Sequence, residues 1–406
     1  MKRTILLLAI ALFGILGCTS EPAENGPIRF WQFWDVAAIQ PIIDEFEAAN
    51  PGIDVELEQL TWQSGLEKIQ AAIASGTQPD LCELGSTWLP RFSYEGVLED
   101  LTDVHLAIAD DFIMWESAIW QGKVYGLPWV QGSRALFYNT DLFEAAGLDP
   151  EKPPKTWDDL LKAAMRINQL GEDVYGFGLN LGERYVLYKK FMAFAWGNGG
   201  AILAPDGSVV FNSPENLEAL EFYRKLAEYS LKEKQEVLDH TFRNGKLGMQ
   251  ISGAWNLRNY AEEAPDLNYR VALVPRPSKN HGHHASFAGA EMLVIFKNTR
   301  QREDALKLAR FLQSYEQARK VSMAVKSVFP ASKEALLDPM FAEDDRLRVF
   351  VQQAMTSHSA PAHPGWIDME DVINRSIEEV LYGRTDPKES LESAAIQIQS
   401  VVERFD

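Results

Sequence analysis

The run from Ile28 to Tyr94 alternates strand-like and helix-like periods, and that alternation narrows the possible folds more than any other feature. Ile28 to Trp34 reads as a first strand. In Val36 to Ala49, residues Ile39, Ile42, Ile43, Phe46 and Ala49 recur at helical spacing, and Asn50-Pro51-Gly52 stops the helix. Ile53 to Leu57 alternates apolar with acidic and reads as a second strand. Thr61 to Ala74 reads as a helix closed by Ser75-Gly76, Asp80 to Leu84 as a third strand, and Thr87 to Tyr94 as another helix. Strands separated by helices at this spacing run parallel with right-handed crossovers. Such sheets bind ligands beyond the carboxyl ends of their strands. Those ends offer Trp34, Trp62, and Glu83 with Trp88.

Val124 to Thr140 is of another kind. It reads as two extended runs, Val124 to Val130 and Ala135 to Tyr138, joined by Gln131-Gly132-Ser133-Arg134. Gly and Ser let that joint bend, so the stretch suits either a hinge that touches a ligand or an ordinary hairpin with a core Trp. Beyond it, Thr156 to Asp159 has a capping arrangement for a helix through Leu170, and Tyr175 to Leu179 reads as a strand. Glu183 to Trp196 reads as a long helix stopped by Gly197 to Gly200. Ser213-Pro214-Glu215 opens a helix expected to reach about Lys232. Lys246 to Ile251, Tyr269 to Leu273 and Gly289 to Phe296 read as strands. Ala254 to Glu263 and Arg300 to Leu312 read as helices, and the chain is mostly helical from Pro339 on.

At the other end, Lys2 and Arg3 precede an apolar run from Ile5 to Leu16, then Gly17-Cys18. A charged start, a short apolar stretch and a small residue before a cut site make a secretory signal. The run is too short for a permanent membrane span. Thr19 to Pro27 is polar and reads as a tether. The 406 residues exceed one core, so two lobes are the expectation. Removing residues 1–17 takes away Lys2 and Arg3 and no acid, moving the net charge from −19 to −21. An acidic surface argues against nucleic acid as a partner. With Cys18 modified, Cys82 is left without a disulfide partner and reads as a core residue.

No Gly-x-Ser-x-Gly, His-Glu-x-x-His or phosphate-cradling loop occurs, and His281-Gly-His283-His284 has no acid or Cys at ligand spacing, so no metal or cofactor is expected. The eleven Trp are more informative, because several fall where elements end: Trp34, Trp62, Trp88, Trp129, Trp196, Trp255 and Trp366. Taken singly, each reads as core. As a set, interleaved with Asp, Glu, Arg, Asn and Gln, they suit a sugar, whose C–H face lies flat on an indole and whose hydroxyls need fixed donors and acceptors.

Several segments in order give the chain a wider resemblance. They are Trp31 to Trp34, Ile42 to Glu47, Ala49 to Val55, Gln78 to Leu81, Gly126 to Trp129, Leu136 to Phe143, Phe242 to Trp255, and Gly289 to Glu291. Together with the lipobox-like Ile15-Leu16-Gly17-Cys18, the chain resembles the extracellular solute-binding proteins of bacterial ABC importers, in the group serving sugars. The resemblance implies an α/β fold of two periplasmic-binding-protein-like lobes with three crossings, near Gly132 to Arg134, Phe287 and Pro330. It implies a signal peptide at 1–17 and a linker at 18–26 lipidated on Cys18. Lobe 1 would comprise 27–133 and 287–330, and lobe 2 would comprise 134–286 and 331–406. It implies a membrane-anchored, extracytoplasmic monomer that carries a carbohydrate to ABC permease subunits and is not an enzyme. The same fold serving a polyamine, phosphate ester or iron complex is the alternative, with a secreted carbohydrate-active enzyme behind it. Trp255, after Gly253-Ala254, takes the position of the aromatic that stacks on sugar. Ser86, Thr87 and Trp88 take the hydroxyl-binding position, where many relatives place an acid and this chain has none. Glu291 and Arg134 are the candidates to supply it, and Trp366 matches a loop that reaches the cleft. The expected ligand contacts are therefore Trp34, Trp62, Glu83, Trp88, Arg134, Trp196, Trp255, Glu291 and Trp366.

Overall fold

The computed structural model describes residues 26–405. The signal, Cys18 and nearly all of the tether lie outside them. Strands β1 (Ile28–Gln32), β2 (Val55–Gln59) and β3 (Leu81–Gly85) run parallel, as the alternation implies, and pair in the order β2-β1-β3. The intervening helix Val36–Ala49 starts on Asp35, whose carboxylate accepts the Ala37 N–H, and buries Ile39, Ile42, Ile43 and Phe46. A small hairpin follows, β4 (Ile119–Trp120) with β5 (Lys123–Val124).

Strand β6 (Leu127–Asn139) then runs unbroken for 13 residues. The joint at Gln131 to Arg134 is thus not a hairpin, and Gly132 is not in the left-handed region. The ladder changes hands there instead. Val130 to Ser133 pair with the long strand that returns later in the chain, and Arg134 to Tyr138 pair with a different one. The rest of the sheet follows as β7 (Tyr175–Asn180), β8 (Ser230–Glu233), β9 (Leu247–Gly253), β10 (Tyr269–Ala272), β11 (Ser286–Ile295), β12 (Phe329–Pro330) and β13 (Ser357–His358). The path is β2-β1-β3-β11-β6-β9-β7-β8, with β10 and β12 on β6 and β13 on β11.

The helix opened by Ser213 ends at Leu226, short of Lys232. A single tight turn intervenes, and Ser230–Glu233 becomes β8 because it finds a parallel partner in β7. The capping box at Thr156 and Asp159, and the cap on Asp386 for the helix Pro387–Val402, form as their residues dictate.

Two large buried clusters flank the point where the ladder changes hands. One holds Phe30, Leu84, Trp129, Val130, Ala290 and Met292 to Phe296. The other holds Leu136, Tyr188, Phe191, Trp196, Phe287 and Trp366, and a third, smaller one holds Ala135, Phe137 and Phe329. Among the described residues no helix is long and apolar enough to cross a membrane.

Candidate functional site

At the carboxyl ends of β1, β2 and β3 an aromatic group assembles. Trp62, on the loop after β2, stacks on Phe33 with ring centroids 4.1 Å apart and planes 16° apart, and tilts against Trp88 at 5.4 Å. Trp62 keeps 37% of its surface, whereas Trp88 keeps 4% and is packed beneath it. Trp34 is partly exposed, and its indole N–H is buried without a hydrogen-bond partner.

Beside these rings β11 lays Glu291 opposite Gly85 of β3. A Cβ on Gly85 would stand 3.5 Å from both the Glu291 Oε2 and the Trp62 ring, so the glycine leaves room between acid and indole. Glu291 Oε2 has no partner. Burial pushes the Glu291 carboxyl up to about 7, against the pull of Lys189 and Arg134. Glu83 lies deeper and is fully buried. Its Oε2 accepts the Phe33 N–H at 2.8 Å and its Oε1 accepts nothing. Burial, then the charge of Glu291, holds the Glu83 carboxyl well above the ordinary range, and its bond from Phe33 fixes the β1 end.

The facing half is built on β6 and β9. Arg134 pairs with Gly253 in the ladder, and its guanidinium lies 5.3 Å from the Trp255 ring centroid and 5.0 Å from that of Phe287. It donates to the Gly132 carbonyl at 3.1 Å. Burial lowers its pKa to about 10. Trp255 opens the helix Trp255–Glu263 straight after β9, and its ring folds back over Gly253 so closely that a Cβ there would stand 1.8 Å from it. The next residue, Asn256, fixes that turn by donating to Asp239 at 2.6 Å and to Ser252 at 3.0 Å.

Lys189 stands in the first turn of the helix Leu187–Gly197, with its ammonium 5.2 Å from the Phe287 ring centroid. Burial, then the Arg134 charge, lowers its pKa to about 8. Glu370 is 1% exposed on the helix Trp366–Leu381, and burial raises it to about 7 while Lys189 opposes.

Trp62 and Glu291 therefore meet on one side and Arg134 with Trp255 on the other, and the Arg134 charge reaches Glu291. Trp196 and Trp366 are packed against the Phe287 side of this arrangement, Trp196 stacked on Phe287 at 6.5 Å and Trp366 reaching it through Tyr188. Trp196 is 7% exposed and lies nearly parallel to His358 at 5.3 Å. Trp366 is 1% exposed and meets Tyr188 edge-on at 5.2 Å. Sequence reasoning missed Lys189, Phe287 and Glu370. Lys189 had a signal, since the first turn of a helix following a strand stands at the carboxyl edge. Glu370 had a weaker one, four residues after Trp366 on the same helical face. Phe287 had been placed only as a crossing.

Among the described residues no three His, Cys, Asp or Glu side chains gather as a metal site. An open surface hollow of about 450 Å³ between Asn139, Arg243 and Asp266 contains none of these groups, and Arg243 there is already paired with Glu263.

The family described as bacterial extracellular solute-binding protein matches residues 35–319. A binding protein of Brucella abortus is 29% identical over 411 residues, covering 97% of this chain and 98% of its own. The galactooligosaccharide-binding protein of Bacillus subtilis is 25% identical over 88% of this chain and 85% of its own. An ABC transporter solute-binding protein from Thermotoga lettingae, solved with alpha-D-tagatose, superposes with a TM-score of 0.81 at 28% identity. That match covers 93% of this chain and 99% of that one.

Proposed function

This chain belongs to the bacterial extracellular solute-binding proteins, and on that footing we propose that it captures a carbohydrate between two lobes and hands it to an ABC permease. The observation that carries the reading is the pair of accessible indoles, Trp62 and Trp255, each flanked by polar groups with spare bonding capacity. An indole face takes the C–H face of a sugar ring, and the unpartnered Glu291 oxygen and the spare N–H groups of Arg134 take its hydroxyls. The names of the Bacillus and Thermotoga relatives, one binding galactooligosaccharide and one solved with a sugar, support the same class.

We assign 27–133 with 287–330 to lobe 1 and 134–286 with 331–406 to lobe 2, in keeping with the division of the buried clusters along β6, Trp129 and Val130 in one and Leu136 in the other. Trp62, Glu291, Arg134 and Trp255 touch the ligand, with Trp34 at the margin. Trp88, Glu83, Trp196 and Trp366 hold those contacts from behind. The ligand must touch both lobes, because only differential contacts shift an open–closed equilibrium. The protein works outside the cytoplasmic membrane as a monomer, held by lipid on Cys18, and performs no chemistry on its cargo. A labelled oligosaccharide mixed with pure protein should be retained and recovered uncleaved. Cleavage products would overturn the binding-only reading, and an unchanged membrane fraction for Cys18→Ala would overturn the anchor.

A further inference from the structure

The Lys189 ammonium and the Arg134 guanidinium lie 5.2 and 5.0 Å from the centroid of the same Phe287 ring. Among the described residues neither has a carboxylate within ion-pair distance. Arg134 uses one N–H group, on the Gly132 carbonyl, and Lys189 has no hydrogen-bond acceptor. Of the charges acting on Lys189, that of Arg134 is the strongest, ahead of Glu370 and Glu291. Two like charges brought together with their donors unused are unfavourable unless something negative joins them.

The neighbouring residue shows how this fold satisfies a lysine when no ligand is involved. Lys190 donates to the Ile251 carbonyl and to Gln235 Oε1 at 2.8 Å, with Asp239 nearby, and is 4% exposed. Lys189 and Arg134 instead keep part of their surface open to water although protein surrounds them. Both therefore reach the solvent boundary, whereas Lys190 is in the core.

Resting on the carbohydrate reading, we propose that Arg134 and Lys189 together bind one oxyanion carried by the ligand, the carboxylate of a uronic-acid sugar or the phosphate of a sugar phosphate. The planar guanidinium fork suits either group, and the ammonium adds a second charge-assisted bond. Glu291 and Glu370 do not bar the anion. Burial holds each near 7, so each can take a proton and become a hydrogen-bond donor.

Calorimetric titration of the intact protein with matched pairs tests this, using galactobiose against digalacturonate and glucose against glucose 6-phosphate. One acidic member should bind at least about tenfold tighter than its neutral partner, as a hydrogen bond to a charged group allows. That advantage should shrink about tenfold in Lys189→Met. A gain confined to digalacturonate identifies the carboxylate, and one confined to glucose 6-phosphate the phosphate. Neutral members that bind as tightly as their acidic partners overturn the inference, as does an advantage that Lys189→Met leaves intact. Silence from all four sugars also overturns it, while a neutral oligosaccharide that still binds keeps the carbohydrate reading standing.

Discussion

Gly253→Ala should move Trp255 without touching the backbone. Gly253 is outside the left-handed region, so alanine is conformationally acceptable there. Its Cβ, however, would stand 1.8, 2.2 and 2.4 Å from three Trp255 ring carbons. Carbon atoms pack at about 3.5–4.0 Å, so the indole must retreat by roughly 2 Å. Its centroid now lies 5.3 Å from the Arg134 guanidinium, and a cation–π contact fades beyond about 6 Å. The retreat therefore breaks that contact and lifts the plate off any sugar resting on it. Each such contact contributes about 0.5–2 kcal/mol. Binding should weaken by about 1–2 kcal/mol, or roughly five- to thirtyfold. Calorimetry with the tightest carbohydrate found measures this, and urea melts should show a loss of no more than about 1 kcal/mol. Trp255→Ala should bind as weakly as Gly253→Ala, and the double variant no more weakly than either, since both changes remove one contact. A Kd within twofold of wild type, or additive losses in the double variant, would show that the Trp255 ring does not hold the ligand.

Trp62 and Trp366 should separate binding from stability. Trp62→Ala, at a 37% exposed position, should cost about 1 kcal/mol or more of binding and little stability, whereas Trp366→Ala, 1% exposed, should cost about 3–5 kcal/mol of stability in the same melts. The reverse pattern would exchange their roles. Glu370 should give a pH signature, because its carboxyl is raised to about 7 when folded and titrates near 4.5 when unfolded. The folded chain then holds the extra proton, so its contribution is present below about 4.5 and is lost as pH rises through 7. Wild type should lose stability relative to Glu370→Gln between pH 5 and 8, and parallel profiles would contradict the assignment. Ligand should also make the molecule more compact by small-angle scattering, and an identical radius of gyration with and without ligand would sink lobe closure.

The alternation from Ile28 to Tyr94 was enough for three parallel strands joined by helices, because each element's period is local to its own residues, but the order β2-β1-β3 is set by pairing between distant segments. The end of the Ser213 helix was not legible. Whether Ser230–Glu233 continues the helix or pairs with β7 depends on a partner some 50 residues upstream. The same limit explains β6. Its Gly-Ser joint looked like a bend, but neighbours on both sides hold it straight, so only its ladder partners change. For the proposed site, Trp62 could be named from an element end, Arg134 from the Gly-Ser joint, and Trp255 and Glu291 through the family resemblance. How closely each was packed could not, since Trp62 and Trp366 both stand beside breaks in secondary structure and differ only in what the fold lays over them.

A carbohydrate held between Trp62 and Trp255 must stabilise the folded chain. A thermal-shift screen of the intact protein against neutral and acidic oligosaccharides measures that gain. A ligand that binds only the folded state adds about 2.7 kcal/mol at 100 times its dissociation constant. At least one sugar should give such a rise, abolished together by Trp62→Ala and Gly253→Ala. No rise with any carbohydrate, alongside a clear rise with a polyamine or another non-sugar solute, would contradict it.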